Sequence, residues 1–190
     1  MKKIGDDMYK RGFTLAEVLI TLGIIGVVAA LTIPSFLSNY QKRVLTTQLQ
    51  KAYSEISQAG AMVVAYENTD DFRYSKAIKN GNFIGKYLKA AVVSNDYLPA
   101  VYKLDGKDYN FRGEIRNNFR CGKLGSGTVI CVGPEGAGIL DVNGPKGPNT
   151  VGKDAFTIGF MKNGTISYHY SAYLESIVRN DWDIDNIKNW

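Results

Sequence analysis

Histidine occurs once in these 190 residues, cysteine twice and proline five times. The lone His169 argues against His-based catalysis and against multi-His metal sites. Two cysteines with no neighbouring histidine leave a four-ligand zinc set incomplete. No G-x-S-x-G elbow, phosphate-binding Walker loop or paired-carboxylate signature is present. Gly133-Pro134-Glu135-Gly136-Ala137-Gly138 is glycine-rich, but Pro134 removes an N–H and no Lys-Ser/Thr follows, so it reads as a flexible loop. The 20 glycines follow no G-x-y period, which excludes collagen. Charge is absent from one long stretch. Between Arg11 and Lys42 the only charged residue is Glu17, and Val18 to Leu37 runs twenty residues without any.

What is present is a globular composition, 45% hydrophobic and 22% charged, which argues against disorder. The length suits one ordinary domain with a core. The net charge of +5 is spread along the chain, so it does not by itself single out a nucleic-acid partner.

The uncharged stretch is long enough to cross a bilayer as a helix, which takes about 20 apolar residues. Lys2, Lys3, Lys10 and Arg11 precede it, predicting a cytoplasmic N-terminus and an exported C-terminal bulk. A cleaved secretory signal would have a shorter apolar core, about 7–15 residues, and Ala29-Ala30-Leu31 matches its small-residue cleavage site poorly. A plain signal anchor would carry no Glu17 at the start of the span, because an ionisable group there usually has a partner.

Arg11-Gly12-Phe13-Thr14-Leu15-Ala16-Glu17-Val18-Leu19-Ile20 resembles the prepilin signature of type IV pilins and type II secretion pseudopilins. The resemblance covers about the first forty residues. It implies a leader, residues 1–12, removed by a prepilin peptidase after Gly12, and N-methylation of the new terminus at Phe13. It implies an assembly role for Glu17 and a helix break at Gly26 and Pro34. The leader would be followed by a transmembrane helix over 13–37, a helix continuation packed on the head over 38–67, and an exported head over 68–190. The resemblance also implies polymerisation through the N-terminal helix into a pilus or pseudopilus. The expected partners are other subunits, the peptidase, an inner-membrane platform with its ATPase, and membrane lipid. Such a chain is the substrate of an enzyme and no enzyme itself. In a staggered bundle Glu17 of one subunit can meet the Phe13 amine of its neighbour, a pair that offsets the burial of both charges and sets the register. The alternatives are a minor or competence pilin that binds DNA or surfaces through its head, and an anchored domain that never polymerises.

Beyond the membrane stretch, Val44, Leu45, Leu49, Ala52, Tyr53, Ile56, Ala59 and Val63 recur at three- and four-residue steps. One helix from about Phe13 to Tyr66 would be roughly 80 Å long. Asn68-Thr69-Asp70-Asp71 reads as its end. Residues 70 to 100 suit one or two short helices. Strands are expected at Ala100–Leu104, at Tyr109–Arg112 around an Asp105-Gly106 turn, and at Thr128–Val132. A hairpin is expected in which Phe156, Ile158 and Phe160 lead into a two-residue Asn163-Gly164 turn and Ile166, Tyr168 and Tyr170 lead out. A short helix follows Ser171 and ends near Arg179. The fold class is α+β and pilin-like, a small antiparallel sheet on a long helix.

Cys121 and Cys131 lie in the exported half, where a disulfide is permitted and would contribute about 2–3 kcal/mol. The stretch from Asp141 to Asp154 is rich in glycine, carboxylates and amides. Asp141, Asn143, Asn149 and Asp154 could offer oxygens to a hard cation such as calcium, although the spacing departs from an EF-hand. The resemblance adds weight, since major pseudopilins carry a calcium loop in this region. The competing reading is a turn-rich connection whose Asp and Asn side chains cap their own backbone.

Overall fold

The computed structural model describes residues 12–93, 101–102, 108–109, 119–147 and 149–183. Residues 1–11 of the leader, the Asp105-Gly106 turn and the parts of the expected strands at 100, 103–104 and 110–112 lie outside the described residues. Contacts divide the chain into two units, with the boundary between Gln41 and Lys42.

A single helix, α1 (Leu15–Glu67), runs through both stretches read as helical. Gly26 and Pro34 both lie inside it. Pro34 lacks one N–H, and one missing rung does not end a helix of 53 residues whose neighbouring turns stay bonded. The helix stops where Asn68 turns left-handed, with φ at 46°. Asparagine tolerates that conformation better than most residues.

From Lys42 onward α1 belongs to the same unit as the sheet, and its apolar stripe is the reason. Leu49, Ala52, Ile56, Ala59, Gly60 and Val63 are buried along one face. They meet a six-stranded antiparallel sheet made of β1 (Ala91–Val93), β4 (Arg120–Lys123), β5 (Val129–Val132), β6 (Gly138–Asp141), β8 (Ala155–Phe160) and β9 (Ile166–Ser167), in that spatial order. Side chains alternate across it. Ile130, Val132, Leu140, Phe156, Ile158 and Phe160 share the main core with α1. Val129, Cys131, Ile139 and Ala155 point into a second cluster together with Cys121. The period-two pattern therefore loads both faces of β5, which is buried at every position. The two cysteines are cross-strand partners on β4 and β5 and form a disulfide within that second cluster. A second small sheet departs from the all-antiparallel expectation. There β2 (Val101–Tyr102) pairs antiparallel with β3 (Asp108–Tyr109) and parallel with β7 (Asn149–Thr150).

The stretch after α1 forms a 3₁₀ turn at Phe72–Tyr74, the helix α2 (Lys76–Lys79) and a π turn at Phe83–Tyr87. Phe72, Phe83 and Phe160 meet there, with ring centroids 4.5 to 5.5 Å apart. The last helix, α3 (Ala172–Arg179), is capped by Ser171, whose hydroxyl accepts from the Leu174 N–H.

The terminal hairpin forms, with two corrections. The turn is centred on Lys162 and Asn163: Gly164 N–H donates to the Met161 carbonyl at 2.9 Å, and Met161 N–H donates to Thr165 at 2.8 Å. Asn163-Gly164 is thus not a two-residue loop; Gly164 is the left-handed residue after the turn, with φ at 82°. The return strand β9 is only two residues long, and Tyr168 and Tyr170 sit on a 3₁₀ turn instead of alternating along it. The strand ends because the next backbone groups bond off the ladder: Ser171 N–H donates to the Tyr168 carbonyl at 3.2 Å, and the Thr157 hydroxyl donates to the Tyr170 carbonyl at 2.9 Å. At the start of β9, Tyr53 donates its hydroxyl to the Ile166 carbonyl and Ser57 accepts from the Ile166 N–H, which ties the strand to α1. At the crossing the two backbones nearly touch: a Cβ on Gly60 would fall 1.9 Å from the Gly164 carbonyl oxygen, and one on Gly164 would fall 2.2 Å from that of Gly60.

Candidate functional site

The first half of α1 is dominated by apolar surface. Phe13 is 88% exposed, and Leu15, Leu19, Ile24, Val27, Leu31 and Phe36 are exposed too. None of the most apolar 18-residue window is buried, so this surface is not the core of its own unit. Twenty uncharged residues left in water would be an aggregation liability, and lipid or like helices are the environments that match them. Among the described residues, one helix is thus long and apolar enough for a single-pass membrane anchor.

Gly12 and Phe13 precede the helix in non-helical backbone, and nothing lies within 4 Å of where a Gly12 Cβ would sit. A scissile bond between them would be open to a peptidase. Glu17 is less free than the sequence suggests. Its carboxylate accepts from the Thr14 N–H at 2.8 Å and from the Thr14 hydroxyl at 2.9 Å, while the Glu17 N–H donates back to that hydroxyl at 3.2 Å. This is a capping box, with Thr14 as N-cap and Glu17 three residues on. The T-x-x-E spacing could have been read directly from the sequence.

The four residues put forward for a cation do converge. Asp141, Asn149 and Asp154 are buried, and Asn143 is half-buried. Asn143 donates from Nδ2 to Asp154 at 3.2 Å, and Asn149 donates from Nδ2 to Asp141 at 3.5 Å. The Thr150 N–H donates to the other Asp154 oxygen. Both carbonyl oxygens, Asn143 Oδ1 and Asn149 Oδ1, are buried without a hydrogen-bond donor. Burial pushes the Asp154 carboxyl above its ordinary range, against the hydrogen bond from Thr150 that lowers it. Carboxylate and amide oxygens of this kind are the ligand types that a hard divalent cation takes. Among the described residues no group of three or more His, Cys, Asp and Glu side chains comes together, so softer-metal sites have no counterpart there.

A long apolar N-terminal helix followed by a small antiparallel sheet is a pilin-like α+β arrangement. Residues 7–33 match the family model described as the prokaryotic N-terminal methylation motif, the signature of type IV pilins and pseudopilins. No curated protein and no solved structure matches the chain.

Proposed function

We propose that this chain is a structural subunit of a type IV pilus or a type II secretion pseudopilus. It is cleaved after Gly12, N-methylated on Phe13 and polymerised through α1. One observation carries the reading: a methylation motif heads an exposed apolar stretch of α1 in which Glu17 is the only charge before Lys42. The subunit waits in the inner membrane with its head exported, and an assembly platform with its ATPase moves it into the filament. Apolar burial against neighbouring helices holds the polymer together. Terminal-peptide mass spectrometry on the protein from its native membranes tests the processing. A chain starting at N-methylated Phe13 is expected. A chain still starting at Met1 in a host with an active prepilin peptidase overturns the reading, and a cut near Ala30 makes the protein an ordinary exported one.

Calcium fits the head as a structural ligand, held by Asp141, Asn143, Asn149 and Asp154. Two carboxylates imply modest affinity, in the range of about 0.1–1 mM for extracellular modules. Without the ion, the raised Asp154 pKa means the folded state holds its proton more tightly than the unfolded chain does. Its stability contribution is therefore complete below the ordinary 3.8 and is lost as pH rises through the raised value. A bound cation favours the ionised form and reverses that trend. Melting followed across this pH window should fall with rising pH in chelator. About 10 mM Ca²⁺ should remove the fall and add roughly 1–3 kcal/mol near neutral pH. Asp154→Asn should abolish both effects; a calcium response that survives it would place the ion elsewhere.

A further inference from the structure

Between the turns that follow α1 and the β5–β6 connection lies a cavity of about 450 Å³. That is within the range of small-molecule sites, about 300–1,000 Å³. Its floor is apolar, with Ala77, Ile84 and Val132 buried. Its rim carries Arg73, Lys79 and Arg120 against one carboxylate, Glu135. The sequence concentrates cations on this side: residues 72–93 include Arg73, Lys76, Lys79, Lys86 and Lys89 and no Asp or Glu.

The two arginines are in different states. Arg73 is committed: its Nε donates to Asp71 at 2.9 Å and its Nη2 at 2.6 Å, and its guanidinium lies 5.7 Å from the Tyr74 ring centroid. That clamp holds the Asp71 carboxyl down to about 2. Arg120 is exposed, and its side chain makes no hydrogen bond or ion pair with any described residue. Its stem is nevertheless placed. It lies along the backbone of Gly81, where a Cβ would come 3.0 Å from both Cγ and Nε, and Gly81 holds a φ of 66°. The packing of the stem thus positions the guanidinium with no counter-ion among the described residues. A forked donor group of this kind, with a lysine beside it and an apolar floor below, lacks only an acceptor, and carboxylate and phosphate match it bidentately. Tyr74, 55% exposed on the wall, offers a ring face to a flat ligand body.

We propose that this cavity binds an anionic ligand of monosaccharide to mononucleotide size, whose carboxylate or phosphate pairs with Arg120 and Lys79 and whose ring rests on the floor beside Tyr74. The site lies in the head and does not depend on polymerisation, so it stands or falls separately from the filament reading.

The test is calorimetric titration of the full chain in detergent with glucuronate, with adenosine 5′-monophosphate, and with glucose as an uncharged control. Saturable binding of a charged probe is expected, and the probe that binds identifies the acid as carboxylate or phosphate. Arg120→Ala should weaken that binding about tenfold or more, as loss of a charged hydrogen-bonding partner does. Because Arg120 is exposed, the variant should melt as the parent does. Lys79→Ala should weaken binding in the same direction by less. Failure of both charged probes to saturate, equal binding of glucose, or affinity unchanged in Arg120→Ala would overturn the assignment.

Discussion

In the proposed filament, Glu17→Ala is expected to leave the subunit in the membrane and unassembled. This is the largest effect expected of any single substitution in the chain. After cleavage the Phe13 amine lies one residue from Thr14, which already holds the Glu17 carboxylate. In a staggered bundle of helices the same carboxylate can serve a neighbour's amine. Removing one member of a buried ion pair costs about 3–5 kcal/mol, because the other charge is left uncompensated. At each new subunit that is more than a hundredfold in association, so sheared and pelleted filaments should fall below about a tenth of the parent amount. Glu17→Gln separates the two roles of the side chain. Glutamine keeps the capping box but loses the charge. If it fails as alanine does, the intersubunit charge pair is what matters. If it assembles like the parent, capping is what matters and the pairing idea is wrong. Thr14→Val, which removes the hydroxyl from the cap, should cost the helix only about 1 kcal/mol and leave membrane insertion intact.

Gly60→Ala is the second. Apart from its effect on helix propensity, which favours alanine, the substitution drives a methyl group into the Gly164 carbonyl. The obstacle is backbone, so no side-chain rotation relieves it. The hairpin turn must lift from α1, stretching the Tyr53 and Ser57 bonds to Ile166 as it goes. Overpacking of this kind costs about 3 kcal/mol or more, which in a domain of this size lowers the melting temperature by roughly 6–12 °C. Gly164→Ala should be worse, since it adds a left-handed φ of 82° to the same clash. Gly125→Ala, at a position with nothing within 4 Å, is the control and should be close to neutral. A Gly60→Ala protein that melts with the parent would mean that the helix and hairpin do not cross this closely in solution.

These two residues mark the limits of what the sequence tells. Glu17 stands out in the chain because charge is otherwise absent for thirty residues around it, and the helix it begins is visible as a periodic pattern. The apolar stripe from Leu49 to Val63 and the alternation in β8 are equally plain, because each reflects one face of one element meeting a core. Gly60 gives no such signal. Its requirement arises from a turn about a hundred residues away, and nothing local in Ser57-Gln58-Ala59-Gly60 announces it. The same holds for the short β9: alternation at Ile166, Tyr168 and Tyr170 is a strand pattern, and the turn that closes from Tyr168 to Ser171 cuts it short. The cation candidates were legible as residue types in a turn-rich stretch. That Asn143 and Asn149 bury unpaired carbonyl oxygens was not, since orientation is set by the β6–β8 connection around them. The cavity beside Arg120 was invisible for a related reason, as its walls come from residues 73–84, from β4 and from the segment after β5.

The disulfide has a consequence under load. Cys121 and Cys131 tie β4 to β5 on the sheet face turned away from α1, and no covalent link joins helix to sheet. A pull transmitted along α1 is therefore resisted first by side-chain packing and by the few bonds at Ile166. If those yield, the head can pay out chain from Asn68 onward, but the nine residues between the cysteines stay locked and withhold about 30 Å of extension. Adding a reductant would release that length, and single-molecule stretching would read it as a longer final contour with little change in the force at which the helix first lets go.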